Sequence, residues 1–177
     1  MSNNQNDLDQ PASEQDLEDL VASSDTGGRN PSNPAIAKVI TTTALLWSLF
    51  QLWIASPLPF ILGVGVFNDT ESRSIHLAFA IFLTFLAYPA FSKSPRDYIP
   101  AIDWVLAFVG AFCAAYLFLF YSQLSNRPGA PIMIDIVVAS IGIVLLLLAT
   151  WRALGPPLMI VAMIFLIYCF GGQSMPG

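Results

Sequence analysis

Five long apolar runs, separated by short polar segments, dominate the chain after Lys38. Each run is close to or above the roughly 18–20 residues that a helix needs to cross the hydrocarbon core of a bilayer. None of them has a Lys, Arg, Asp or Glu at its centre. The runs lie between Lys38 and Asp69, Arg73 and Lys93, Asp103 and Arg127, Asp135 and Arg152, and after Arg152. The pattern predicts an all-α membrane protein.

We expect about five transmembrane helices in a membrane domain that covers residues 36–177. The predicted spans are residues 36–55, 75–91, 102–121, 132–150 and 156–170. Pro156 and Pro157 suit the first turn of the last span, because the amide hydrogens of that turn have no helical partner. The apolar residues 60–67 are too few to span a bilayer, and we predict an interfacial or partly re-entrant segment there.

A polar tail precedes the first apolar run. Seven of the twelve acidic residues fall within residues 1–25, so the net charge of −5 belongs mostly to this tail. Residues 1–34 lack the apolar side chains that would offset the entropy of ordering, which predicts a disordered acidic tail. Only 11% of the whole chain is charged, against about 25% in soluble domains. Neither part carries a basic patch, so we expect no nucleic-acid partner.

The distribution of Lys and Arg predicts a cytoplasmic N-terminus, because short cytoplasmic flanks are enriched in these residues. With that topology the outer side holds Arg73 and Arg127, and the inner side holds Arg29, Lys38, Lys93, Arg96 and Arg152. An odd number of spans then leaves Gly177 outside. We therefore expect the chain to continue in its natural context.

Four charges at the ends of the spans are candidates for structural or docking roles. Asp103 and Arg152 are expected near the cytoplasmic face, and Arg73 and Asp135 near the outer face. Antiparallel neighbouring helices would bring each pair together, since charged residues at membrane depth tend to find partners. Alternatively, each charge lies at the level of the lipid headgroups and reaches water by itself.

Small residues recur along one face of the third predicted span. They are Ala107, Gly110, Ala111, Ala114 and Ala115. Small side chains allow helix backbones to approach closely in lipid, so this stripe predicts a helix-packing face. The alternative is that alanine is simply common in membrane helices.

Candidate chemistry is sparse. The sequence contains no H-E-x-x-H, G-x-S-x-G, Walker A or G-x-G-x-x-G motif, and we expect no enzymatic activity, no cofactor and no metal. The single histidine, His76, follows Arg73 by one helical turn. It is either a histidine at the membrane interface with access to water or a proton-linked switch.

Several local patterns in the chain resemble one family when taken in order. They are Arg73-x-x-His76-Leu77-x-Phe79-Ala80, Phe85-Leu86-x-Tyr88-Pro89, Asp103-Trp104, Arg127-x-Gly129-x-Pro131 with Asp135, Ala149-Thr150-x-Arg152-x-Leu154-Gly155, and Phe165-x-x-Tyr168-x-Phe170-Gly171. From about residue 36 onward, the chain resembles the N-terminal part of the fused permeases of tripartite ATP-independent periplasmic (TRAP) transporters. The TAXI-type branch of that family is the most similar.

The resemblance implies a part that corresponds to the small membrane subunit, of about four spans, in a prokaryotic inner membrane. It further implies secondary uptake of an organic solute that a periplasmic solute-binding protein delivers. The partner would be a large permease subunit, or a fused C-terminal domain, that holds the transport site. The alternative is a stand-alone multi-span protein with a structural or assembly role, which would form a homo-oligomer through the small-residue face.

Overall fold

The computed structural model describes residues 28–29, 31–89 and 97–171, so residues 1–27 and 30 of the predicted tail at residues 1–34 lie outside them. The end of the second predicted span, at residues 90–91, and the segment 172–177 also lie outside them. The described part is all-helical. Its helices are α1 (Pro34–Ala55), α2 (Leu58–Leu62), α3 (Asp69–Ala87), α4 (Ala101–Leu119), α5 (Tyr121–Ser125), α6 (Met133–Leu154) and α7 (Pro156–Gly171).

The local sequence explains where α1 begins and ends. The side chain of Asn33 accepts a hydrogen bond from the Ala35 amide at 2.9 Å, and Pro34 occupies the first helical position. Both residues suit the start of a helix, where the first amides lack partners. The helix ends at Ala55, before Pro57. The segment that follows, which we predicted not to span, contains only the five-residue helix α2.

Helix α3 begins six residues before the predicted start at residue 75, because a capping box precedes the apolar run. The Asn68 side chain accepts from the Glu71 amide at 2.9 Å, and the Glu71 carboxylate accepts from the Asn68 amide at 3.0 Å. These reciprocal bonds pair two amides that the helix itself leaves free. The helix ends at Ala87, since a residue that precedes proline, here Tyr88, disfavours helical geometry.

Helices α3, α4 and α6 form the centre of the bundle. The C-terminal end of α3 lies beside the N-terminal end of α4 and the C-terminal end of α6, so α4 runs antiparallel to its two neighbours. Helix α1 packs on α3, and α7 packs on α6. The core side chains are Ile81, Phe85, Leu86, Ile99, Ala107, Ala114, Leu145 and Ala149.

Three helices in the described part are long and apolar enough to cross a membrane, namely α1, α4 and α6. The other two long helices do not reach that standard. The first turns of α3 contain the charged residues Asp69, Glu71 and Arg73, and α7 is apolar but has only 16 residues. The described residues confirm the all-helical fold, and the three apolar helices support a membrane-embedded protein, whereas the count of five spans stays a prediction.

Candidate functional site

Asp103 and Arg152 form a buried ion pair where α4 begins and α6 ends. The Arg152 Nη1 atom donates to Asp103 Oδ1 at 2.8 Å, and the two side chains are only 5% and 3% exposed. The guanidinium carbon of Arg152 also lies 4.8 Å from the centroid of the Phe85 ring, in cation–π contact. The structure therefore brings together the two residues that the sequence placed at the same membrane face.

A third charge, Arg29, joins this pair, and sequence reasoning did not select it as a site residue. Its Nη2 atom donates to Asp103 Oδ2, and its Nη1 atom donates to the carbonyl oxygens of Phe85 at 3.3 Å and Leu86 at 3.5 Å. The Arg29 amide donates to the Ala87 carbonyl at 2.7 Å. The last residues of the predicted tail are thus attached to the helices. We call Arg29, Asp103 and Arg152 the buried charge cluster.

Each member of the buried charge cluster lies at a helix end whose dipole favours its sign. Arg29 pairs with the last carbonyls of α3, which have no partner within the helix. Arg152 is in the last turn of α6, and Asp103 is in the first turn of α4. Each helix end carries a partial charge of about half an elementary charge, negative at the C-terminus and positive at the N-terminus. The arrangement stabilises three charges that the helices exclude from water.

A second polar cluster lies at the opposite end of the bundle, around Asp135 in the first turn of α6. The Tyr116 hydroxyl of α4 donates to Asp135 Oδ1 at 2.7 Å, and the Arg127 Nη2 atom lies 3.0 Å from Asp135 Oδ2. The Ile132 amide also donates to Asp135 Oδ2, at 3.0 Å. These bonds join α4, α6 and the loop between them.

The predicted pairing of Arg73 with Asp135 is wrong. Arg73 instead pairs with Asp69 one turn earlier on α3, at 3.0 Å, and both side chains are largely exposed. The next residue, Ser74, is the one that faces α4, so Arg73 points away from the bundle by the rotation of about 100° between successive helical residues. Asp135 instead accepts hydrogen bonds from Tyr116 and Arg127.

Ser74 connects α3 to α4 near the same end. Its hydroxyl donates to the Ala114 carbonyl at 2.6 Å and accepts from the Phe118 amide at 3.2 Å. These two groups lie four residues apart in α4, at the spacing of a helical hydrogen bond. Ser74 lies among the polar residues that begin α3, directly after Arg73, so nothing in the sequence distinguished it as a contact with α4.

The small residues of α4 divide between two environments. Ala107, Gly110 and Ala114 are buried inside the chain, and Gly110 lies against Ile81 of α3. Ala111 and Ala115 line an open apolar groove of about 270 Å³ between α1, α3 and α4. A homo-oligomer that used Ala107, Gly110 and Ala114 as its interface would have to separate α4 from α3.

His76 lies on the side of α3 that faces α1. The Trp47 indole donates to His76 Nδ1 at 3.2 Å, and the Gln51 side-chain amide is hydrogen-bonded to the same nitrogen. Indole N–H is only a donor, so Nδ1 is the acceptor in its contact with Trp47. These contacts give α1 a polar attachment to α3.

The chemistry available to these residues is electrostatic and structural. The described residues contain no group of three His, Cys, Asp or Glu side chains able to hold a metal ion. Cys113 and Cys169 are free thiols. Charged side chains bond one another and the helix ends, and the middle of the core is apolar.

Long apolar helices and buried charges confined to the ends of the bundle define an α-helical, membrane-embedded protein. A comparison of the chain with protein-family models, curated proteins and solved structures finds no match. The resemblance to TRAP permeases therefore stays a prediction.

Proposed function

We propose that this chain is a membrane component of a TRAP-type secondary transporter for the uptake of an organic solute. In this role it is the small-subunit-like scaffold of the large permease part and is not an enzyme. The observation that carries the proposal is the confinement of buried charge to the two ends of α3, α4 and α6. A chain that binds and moves a solute usually needs polar groups at depth. A scaffold needs only a stable bundle and apolar outer faces.

The outer faces of α6 and α7 support a scaffold role. Helix α7 has no buried residue, and most of its large side chains are exposed. Examples on these faces are Ile164, Phe165 and Phe170 on α7 and Val144 on α6. Such faces suit lipid or the helices of a large permease subunit or fused C-terminal domain. A periplasmic solute-binding protein would dock on the outer side of the assembly.

The proposal includes five spans in a prokaryotic inner membrane with a cytoplasmic N-terminus. Helices α3 and α7 would be about 28 Å and about 24 Å long at 1.5 Å per residue, which approaches the hydrocarbon thickness of about 30 Å. Tilt and local thinning of the bilayer accommodate a mismatch of this size. The cytoplasmic end would then carry Arg29 and Arg152, in agreement with the positive-inside rule.

Purification from the membranes of the source cell tests the proposal. An affinity tag before residue 28 is used to isolate the chain in a mild detergent, and mass spectrometry identifies what accompanies it. We expect stoichiometric recovery of a many-span membrane protein, or a product in which such a protein is fused to the chain. An unrelated polytopic protein with the same tag is the control. Isolation of the chain alone, or only as a homo-oligomer, would contradict the scaffold role.

Reconstitution tests the transport part of the proposal separately. Liposomes that contain the purified assembly, together with the solute-binding protein, are expected to accumulate solute when an ion gradient is applied. Liposomes with this chain alone are expected to accumulate none. Uptake by the large component without this chain, at an unchanged rate, would overturn the claim that the chain is a working part of the transporter.

A further inference from the structure

Three acceptor groups from two helices converge on the guanidinium group of Arg29. They are the Asp103 Oδ2 atom at the start of α4 and the carbonyl oxygens of Phe85 and Leu86 at the end of α3. Asp103 is held in place by Arg152, which bonds the other carboxylate oxygen. The acceptors therefore belong to the helical bundle and are positioned without any contribution from Arg29.

Arg29 reaches these acceptors from a segment that is otherwise at the surface. Among Gly28, Arg29, Pro31, Ser32 and Asn33, only the Arg29 residue is buried, and its side chain is 0% exposed. Two backbone bonds accompany it, from the Arg29 amide to Ala87 and from the Ser32 amide to the Asp97 carbonyl at 3.0 Å. In this segment, the side chain of Arg29 is thus the main point of attachment.

The charge balance of the cluster weakens this attachment. Without Arg29, Asp103 and Arg152 form a neutral buried pair, so the bundle keeps its charge balance. With Arg29, the cluster has a formal charge of +1, which the C-terminal ends of α3 and α6 offset only partly. In addition, the Nε atoms of Arg29 and Arg152 are buried without a hydrogen-bond partner within the described residues. Unpaired buried donors oppose the favourable contacts.

The geometry of the acceptors favours a guanidinium group over an ammonium group. A planar guanidinium has separate terminal nitrogens that donate in one plane to a carboxylate and to carbonyl oxygens. Arg29 uses one terminal nitrogen for Asp103 and the other for Phe85 and Leu86. An ammonium group has its three donors on one atom and cannot reach acceptors on both helices in the same way.

We propose that Asp103 and the carbonyl groups of Phe85 and Leu86 form a guanidinium-binding site that this chain fills with its own Arg29. The segment before α1 is therefore a ligand bound in cis, and another guanidinium group can replace it. Release of Arg29 frees this segment from the ends of α3 and α4. The site does not depend on the proposed transport function.

Chemical rescue of Arg29→Ala tests the site. The purified full chain is reconstituted in lipid nanodiscs, and its thermal unfolding is followed with methylguanidinium or methylammonium at equal ionic strength. We expect Arg29→Ala to lower Tm, and methylguanidinium to restore part of it with saturation in the millimolar range. Methylammonium should restore less, and the double variant Arg29→Ala with Asp103→Asn should not respond. If methylguanidinium raises the Tm of Arg29→Ala no more than that of the unaltered chain, the site does not exist.

A competition measurement covers the case in which Arg29→Ala does not fold. Gly28→Cys is made in a chain with Cys113→Ala and Cys169→Ala, a nitroxide spin label is attached to the new cysteine, and the mobility of the label is measured. The added Cβ would lie 3.7 Å from the Ala87 carbonyl, an ordinary contact, so the substitution fits the bound segment. Release of Arg29 by methylguanidinium should increase the mobility of the label, whereas methylammonium should not. Equal mobility of the label with the two ions would overturn the proposal.

Discussion

Gly110 of α4 lies so close to Ile81 of α3 that a Cβ atom on Gly110 would be 2.6 Å from the Ile81 Cγ2 atom. The same Cβ would also contact Phe85 of α3 and Leu145 of α6, at 3.5 and 3.6 Å. The glycine therefore sits where the three central helices meet. Its missing side chain sets how closely α3 and α4 approach.

Gly110→Ala is expected to destabilise the bundle by about 1–3 kcal/mol, the usual cost of overpacking a well-packed core. The gain in helix propensity from glycine to alanine, up to about 1 kcal/mol, offsets part of this loss. Thermal or denaturant unfolding in nanodiscs measures the change. Gly142→Ala should cost less, since its Cβ would lie 3.3 Å from Cys113 Cβ, and Gly171→Ala should be neutral because nothing lies within 4 Å. A neutral Gly110→Ala would show that α3 can move away from α4 without penalty.

Charge reversal in the buried charge cluster should show the contribution of Arg29. Asp103→Arg places three buried positive charges together and should prevent stable folding, since breaking a buried pair costs about 3–5 kcal/mol. Adding Arg152→Asp restores one pair but leaves Arg29 beside the new arginine. We expect only partial recovery of folded, monodisperse protein from this double variant. Adding Arg29→Ala to it should increase the recovery. Full recovery of folded protein in the double variant would contradict the placement of Arg29 beside residue 103.

Ser74→Ala is expected to destabilise the chain by about 1 kcal/mol. The substitution removes the hydroxyl that bonds the Ala114 carbonyl and the Phe118 amide. Side-chain hydrogen bonds in membrane bundles contribute roughly that much stability. Ser140→Ala is the matched control, because Ser140 is exposed and, among the residues that the structure describes, bonds its own helix at the Ile136 carbonyl. Equal unfolding free energies for the two variants would argue against the connection between α3 and α4.

The partner of Asp135 can be identified by comparing two arginine substitutions. Arg127→Ala removes a direct contact with Asp135 and should lower Tm, as should Tyr116→Phe. Arg73→Ala removes only an exposed pair with Asp69 and should change Tm little. In an Asp135→Asn background, the effect of Arg127→Ala should shrink while that of Arg73→Ala stays the same. A larger loss for Arg73→Ala than for Arg127→Ala would reverse the assignment.

Much of the helical architecture followed from the chain alone. The apolar run after Lys38 and the prolines at 34 and 57 bracket α1, and the runs after Asp103 and Asp135 became α4 and α6. These elements are predictable because length and lack of charge are properties of the segment itself. Helix α3 was placed too late, since its first turns are polar and are stabilised by the local Asn68–Glu71 capping box.

The polar contacts were only partly predictable. Asp103 and Arg152 lie at the ends of two apolar runs, so the sequence indicated that they would share a face. Arg29 gave no such signal, because it lies in a polar stretch and its position depends on the exposed carbonyls at the end of α3. Arg73 was predicted to pair with Asp135 only because both residues were expected near the outer face of the membrane. The rotation of α3 directs Ser74 towards α4 instead.

The sequence by itself determined that the chain is helical, that it is rich enough in apolar residues to be embedded in a membrane, and that its charges lie at the helix ends. The tertiary structure decided which charges meet. The depth of a residue in the membrane depends on its own segment, whereas a contact depends on how two helices are rotated and which helices are neighbours. For the same reason only the fold revealed that Gly110 and Ala107 are covered by the chain itself and that Asp103 receives two arginines.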